Sequence, residues 1–587
     1  MLSDPTIAVP RRLGADVRLP AFGPGQAAAC FLLAVGLVVM RGLRDLPEVL
    51  GGALINPDST MRLLRLQEWL AQGHPVHAVP RDVGGAGMVL PWSHFLELLL
   101  LLLAAPLVPV LGWDAAVRVV FVAAGPLGAG LLGVALAWAI APVTRPDLRW
   151  FAAIAAALAV PVSGYALPGL VHHHIPVAVA VVLTLGWAAR GPAMGAAAGW
   201  RMGLAAGAGL LLTPESMPFT LMGFGLLGLM WLAGGRQAAP LAARAARAAG
   251  VAYLAVVALG LVLDPPATGY GAVEIDRVSV VYLCLAAACA VVGCGLTVLG
   301  RVAGCVLAVA AVALWIAAFP MLLRGPAGVL PPEQAALFFK DIAEMSPVRG
   351  LGQAVILLAP GALGVVGLSW LAWRRRSLGW AYAAVCGMAV LVLSAGHVRF
   401  STYAAILGAG MLPVLLGAVS AGLAGGARAA GRLAVLGGFL LLPPAGVLLM
   451  PAQAAEEAGA ATCSVRASAP GLWFLAGQVL MADPNETPEL LRYSGVLTVG
   501  SLYHRSAGAF LDLRAAWRAV PGEVVPEAVR ATRATHMLVC AGGRRGSLVR
   551  DLPAVTLRDR LVAGTPPGWA VRVAALPGGH VLYRIAD

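Results

Sequence analysis

The 587-residue chain has very little charge: Asp, Glu, Lys and Arg together make up 12% of it. Soluble domains carry about 25%, so an ordinary water-soluble fold is excluded. Lysine is nearly absent, with Lys340 alone, and the basic side chains are otherwise arginines. Aromatic residues are few, at 6%, and no CxxC or Cys/His zinc spacing occurs, which removes zinc-ribbon and thioredoxin-like chemistry. What fills the chain is apolar: 60% hydrophobic residues and a mean hydropathy of +0.84. The composition is that of a polytopic membrane protein. The net charge of +13 does not point to nucleic acid, because the arginines fall in short gaps between apolar runs, as membrane topology requires.

A span needs roughly 20 apolar residues. Thirteen runs qualify: 26–45, 115–141, 150–169, 175–189, 200–214, 216–235, 248–263, 278–299, 302–323, 350–371, 378–395, 402–421 and 433–451. Residues 1–25, with Arg11, Arg12 and Arg18, form an N-terminal segment expected in the cytoplasm. Every second gap is then basic (Arg145 and Arg149; Arg190 and Arg201; Arg236, Arg244 and Arg247; Arg301; Arg374 to Arg376; Arg428 and Arg432). An odd number of spans puts the tail, 452–587, outside. The expected location is a bacterial plasma membrane with the tail in the periplasm. Residues 94–111 (HFLELLLLLLAAPLVPVL) are apolar enough to cross, but counting them would invert all later loops. They are assigned to a long first external loop, 46–112, as a helix lying in the interface.

The tail alternates strand-like segments (GVLTVGSLYH, ATHMLVCAG, VRVAALPGGHVLYRI) with a helical GAFLDLRAAWRAV, which suggests a smaller α/β domain after the transmembrane domain of 26–451. Six cysteines lie in apolar runs. Cys463 and Cys540 lie in the tail, where an oxidising compartment favours a disulfide over two free thiols.

The unusual polar residues gather in the external gaps. In NPDSTMRLLRLQEWL, Asp58 is either a helix cap or a carboxylate at the membrane surface, able to bind a metal or take a proton; Arg62 follows one turn later. In GYALPGLVHHHIPVA, His172, His173 and His174 are consecutive; residues on a regular helix diverge, so one or two could ligate one metal, not three. Glu215 stands between prolines in TPESMPF, as a turn residue or a site carboxylate. Glu344 follows Lys340 and Asp341 in KDIAEMSP, and His397 and Arg399 share a short gap, where Arg399 can anchor to headgroups or grip a phosphate.

Taken together, these motifs resemble those of GT-C-type membrane glycosyltransferases, in particular the catalytic subunit of oligosaccharyltransferases and related bacterial enzymes that use polyprenyl-phosphate sugars. NPDSTMRLLRLQEWL is similar to that family's first-loop motif, implying a catalytic, metal-associated Asp58. PGLVHHHIPVA is similar to its second acidic motif, and DIAEMSP to its Thr/Ser-Ile/Val-x-Glu motif, implying a metal or acceptor role for Glu344. LYHRSAGAFLDL resembles a tail segment of bacterial homologues at Tyr503, His504 and Arg505. The resemblance implies about thirteen transmembrane helices with a C-terminal extracytoplasmic domain. It also implies a divalent cation (Mg²⁺ or Mn²⁺) on Asp58, His173, His174 and Glu344, and donor phosphate contacts from Arg399, His397 and Arg62. The expected activity is hexosyl or oligosaccharyl transfer from a polyprenyl-phosphate donor to a lipid, polysaccharide or protein acceptor. There are departures: His172 replaces the usual Asp, Asp341 replaces Thr or Ser, and the tail has no Trp-Trp-Asp-Tyr-Gly element. A flippase for lipid-linked saccharides would carry its polar residues inside the spans, and a degenerate scaffold is the reading that His172 keeps open.

Overall fold

In a computed structural model, residues 22–450, 463–543, 548–549, 551–552 and 555–586 are described. Most of the N-terminal segment assigned above to the cytoplasm, and residues 452–462 of the tail, lie outside them. All thirteen apolar runs contain helix, because a backbone in hydrocarbon must satisfy its own N–H and C=O groups. Among the described residues ten helices are long and apolar enough to cross a membrane, or eleven with one bent pair, so the expected count of thirteen is not confirmed. The shortfall lies in three runs. Run 150–169 is cut into Trp150–Leu158 and Val160–Ser163 around an extended Ala159 that precedes Val160-Pro161. Run 350–371 divides into Gly350–Leu357 and Ala359–Arg375, bent by 50° beside Pro360. Helix Ala196–Leu212 has 17 residues.

Small residues bring the helices close. Ala196–Leu212 packs on Gly235–Leu263 so tightly that a Cβ on Gly199 would stand 2.2 Å from the Ala245 carbonyl oxygen, and one on Gly203 2.4 Å from that of Ala249. Such contact is how helices associate where lipid is as apolar as a side chain. Alanines dominate the largest buried cluster, which joins the first helix, Pro24–Arg41, to Val108–Ile140, Trp150–Leu158 and Ser401–Gly422.

The segment assigned to an interfacial helix is helical: His94–Ala104 runs through a short 3₁₀ turn into Val108–Ile140. The path breaks at Gly112, whose φ of 73° and ψ of 165° belong to glycine alone. Leu98, Leu99, Leu102, Leu103 and Val110 are exposed on this segment, an apolar surface suited to lipid.

The loop before it carries a two-stranded ribbon, β1 (Ala78–Val79) and β2 (Met88–Val89). Among its described residues the tail holds five strands: β3 (Val479–Met481), β4 (Leu497–Thr498), β5 (His536–Cys540), β6 (Ala570–Ala575) and β7 (His580–Ile585), in the order β4-β3-β5-β7-β6. The β3 pairings are parallel and the β7 pairings antiparallel. The mixed α/β reading of the tail corresponds to this sheet and to helix Ala507–Arg518. Strand β3 was not anticipated, and GVLTVGSLYH supplies only two strand residues before turning at His504–Ser506. Cys463 and Cys540 are joined by a disulfide.

The tail does not stand apart from the external loops. Phe338, on helix Pro332–Asp341, is buried against Phe510 with ring centroids 4.9 Å apart. Asp82, beside the ribbon and fully buried, accepts hydrogen bonds from Thr498 Oγ1 (2.9 Å) and Ser501 Oγ (2.6 Å).

Candidate active site

Helix Pro57–Gln72 starts with Asn56, not Asp58, as its cap: the Asn56 side chain accepts the Ser59 N–H at 2.8 Å. This frees Asp58, in the first turn, for other contacts. One of its carboxylate oxygens accepts the Tyr503 hydroxyl at 3.0 Å, and the other lies 2.9 Å from His172 Nε2. Ser59 fixes the histidine segment to the same turn, its hydroxyl accepting the Val171 N–H at 2.9 Å.

The three histidines occupy a turn that becomes helix only at His174. The expectation that three consecutive histidines diverge therefore does not hold, since it assumed regular helix. Each offers a ring nitrogen within 4.8 Å of the others, and His172 stacks on His174 at 4.3 Å and 14°. His172 and His174 are buried, while His173 lines a small cavity with Arg62, Trp92, Thr213 and Asp276.

Two carboxylates approach from other loops. His174 Nδ1 is 3.6 Å from Glu215 and its Nε2 is 3.9 Å from Glu344. Tyr165, not singled out from sequence, packs its ring on His174 (4.3 Å) and donates its hydroxyl to Glu344 at 2.9 Å. Glu215 also forms an ion pair with Arg399. Asp58, His172 to His174, Glu215, Glu344, Arg399 and Tyr503, from six separate segments, thus meet at one place.

These residues fit a divalent cation. His172 Nδ1, His173 Nε2, both ring nitrogens of His174 and one oxygen of Glu215 are buried without a hydrogen-bond partner. Buried polar atoms are normally satisfied, and an ion would satisfy this imidazole and carboxylate set.

Other expected residues are used differently. Arg62 is buried in an ion pair with Glu97 and lies 4.2 Å from the Trp92 ring centroid. His397 donates from Nδ1 to the Met345 carbonyl at 2.9 Å. Asp341 pairs with Arg514 of the tail. His504 and Arg505 bind Asp276, at 2.7 and 2.8 Å, and Arg505 also reaches Glu274 at 2.8 Å. Burial would raise the Asp276 carboxyl, but hydrogen bonds and charge from His504 and Arg505 outweigh it and hold the group at about 2. Burial and the Asp58 carboxylate both push the Tyr503 hydroxyl up, so it stays protonated and donates. Glu97 had a sequence signal: a lone acid in a leucine run demands a partner. Asp276 had none beyond lying in an external gap, and Tyr165, inside the apolar run 150–169, had none.

No protein-family model matches the chain, and neither does any curated protein. Among solved structures it is similar to the archaeal oligosaccharyltransferase AglB from Archaeoglobus fulgidus in complex with an inhibitory peptide and a dolichol-phosphate. The TM-score there is 0.65 at 14% identity, covering 87% of this chain and 68% of that one. A second structure of the Archaeoglobus enzyme, tethered through a disulfide to an acceptor peptide containing the NVT sequon, gives 0.65 at 13% identity, covering 96% and 74%. Its complex with Zn and sulfate gives 0.63 at 13% identity, covering 87% and 67%. At such identity the likeness is one of architecture, and it agrees with the resemblance drawn from the motifs: this chain has the GT-C fold of the oligosaccharyltransferase AglB.

Proposed function

We propose that the chain is a membrane glycosyltransferase. It moves a sugar or oligosaccharide from a polyprenyl-phosphate or -diphosphate donor to an envelope acceptor, on the extracytoplasmic face of a bacterial plasma membrane. The observation that carries this reading is the convergence of Asp58, the three histidines, Glu215, Glu344 and Arg399 at one place, beneath a tail that contributes Tyr503. The dolichol-phosphate bound to a structure of the same fold supports a lipid-linked donor. The tail has no Trp-Trp-Asp-Tyr-Gly element, so the proposed acceptor is a lipid or polysaccharide as well as a protein.

Asp58 is the carboxylate that meets the acceptor, oriented from both sides by Tyr503 and His172. Glu344, steadied by Tyr165, and His173 and His174 complete the donor set of a divalent cation. The imidazoles favour Zn²⁺ or Mn²⁺ over Mg²⁺, which prefers oxygen. When bound, the cation would offset charge on the departing phosphate. Arg399, positioned by Glu215, keeps its Nε–H without a partner and is the donor left for a phosphate oxygen.

The test is transfer from polyprenyl-linked sugars in proteoliposomes, with EDTA or with added Zn²⁺, Mn²⁺ or Mg²⁺. Asp58→Ala is expected to lower turnover by about 100-fold or more, a general acid–base contribution, and Glu344→Ala to lower it together with the response to added metal. Full transfer by Asp58→Ala would overturn the site.

A further inference from the structure

A second pair of histidines lies in the first external loop and shares no residue with the site above. His77 stands immediately before β1, and His94 is the first residue of helix His94–Ala104. His77 Nδ1 and His94 Nε2 are 3.2 Å apart, with ring centroids at 5.2 Å. Two imidazole nitrogens on one tetrahedral Zn²⁺, each about 2.0–2.1 Å from it, stand about 3.3 Å apart. The observed spacing matches the bite of a shared ion. A direct N–H···N bond has a similar length, so the surroundings must discriminate.

Those surroundings are arranged as they are behind metal-bound histidines. His94 Nδ1 lies 2.7 Å from Asp264 Oδ1, and the other oxygen of that carboxylate accepts the His94 backbone N–H at 2.8 Å. With its Nδ1 proton given to Asp264, His94 presents the Nε2 lone pair toward His77. Arg277, buried, holds the same carboxylate at 2.7 Å. A carboxylate behind the imidazole fixes its tautomer and raises its basicity. The Asp264 carboxyl is held at about 2: burial works against this, but His94 and Arg277 prevail. The His94 side chain is 36% exposed, which leaves water access to the remaining coordination positions.

We propose that His77 and His94 form a second metal site, for a borderline divalent ion of the Zn²⁺ class, with Asp264 as the orienting carboxylate. The ion clips the ribbon loop to the start of helix His94–Ala104, and through Asp264 to the loop before helix Val280–Val298. Two nitrogen donors without an oxygen ligand make the site a poor one for Mg²⁺ or Ca²⁺.

The test is a Zn²⁺ titration of the metal-stripped full chain in detergent against a chromophoric chelator. His77→Gln is expected to remove one equivalent from the wild-type total and leave the rest in place. Asp264→Asn is expected to weaken that equivalent by about 10–100-fold. Unchanged stoichiometry and affinity in His77→Gln would overturn the proposal and leave the pair a plain hydrogen bond. Should the variants not fold, Zn²⁺ protection of His77 and His94 from diethyl pyrocarbonate, mapped by mass spectrometry in the unaltered chain, decides instead. Protection supports the site, and equal labelling with and without Zn²⁺ refutes it.

Discussion

Tyr503→Phe isolates the tail's contribution to the proposed reaction. The substitution deletes one hydroxyl, which donates to Asp58 at 3.0 Å, and keeps the ring packed edge-on against Trp92 at 5.3 Å. A hydrogen bond to a charged group contributes about 1.5–3 kcal/mol. The Asp58 side chain is 34% exposed, so water replaces part of what is lost and the lower end applies. If that energy is expressed in the transition state, about 1.5 kcal/mol is roughly a tenfold fall in kcat. Initial rates of transfer at saturating donor, with thermal unfolding in the same detergent, are the assay. The expected outcome is a tenfold slower enzyme whose Tm is unchanged. Wild-type kcat in Tyr503→Phe would refute the idea that the tail orients the catalytic carboxylate. A loss as large as that of Asp58→Ala would refute the magnitude, because it would mean that Asp58 cannot function at all without its donor.

Glu97→Ala strips the partner from Arg62 where both side chains are 3% exposed, and should cost about 3–5 kcal/mol. A Tm near wild type would show that Arg62 finds another acceptor, while Arg62→Met with Glu97→Leu should recover most of the loss. Asp276, held at about 2 against an ordinary 3.8, stabilises tail docking fully above pH 4 and loses that contribution as pH falls toward 2. Limited proteolysis of the tail should therefore accelerate only below pH 4, and acceleration starting above pH 5 would contradict the assignment. Reducing Cys463–Cys540, 77 residues apart, should destabilise the tail by up to about 4.5 kcal/mol by the chain-entropy relation. Hydrogen exchange with and without reductant reads this directly, and unchanged exchange in β5 and β7 would show that the sheet holds without the bond.

The membrane helices were legible because hydrocarbon leaves the backbone no alternative, so each apolar run between arginine-bearing gaps forms helix. Their number was less legible: Pro161 and Pro360 sit inside runs whose hydropathy alone reads as continuous. For the site, sequence supplied the candidates and withheld their partners. Asp58 could have been a cap until Asn56 took that place. Arg62 had the charge for binding phosphate, but the buried Glu97 claims it, and His504 and Arg505, candidates from the tail, are taken by Asp276 and Glu274. Tyr165 reaches Glu344 across 179 positions, a pairing for which local pattern carries no signal.

Composition and arginine spacing by themselves therefore determined that the chain is a helical membrane protein with a mixed tail. These properties follow from solvation, which acts on each segment separately. Tertiary structure alone decided that the histidines form a cluster, that Asp58 is held between His172 and Tyr503, and that Glu215 belongs to Arg399. The cluster rests on a local turn in place of helix, and the others are hydrogen bonds and ion pairs of a few ångströms between segments more than 100 residues apart, a range too short for any one segment to encode.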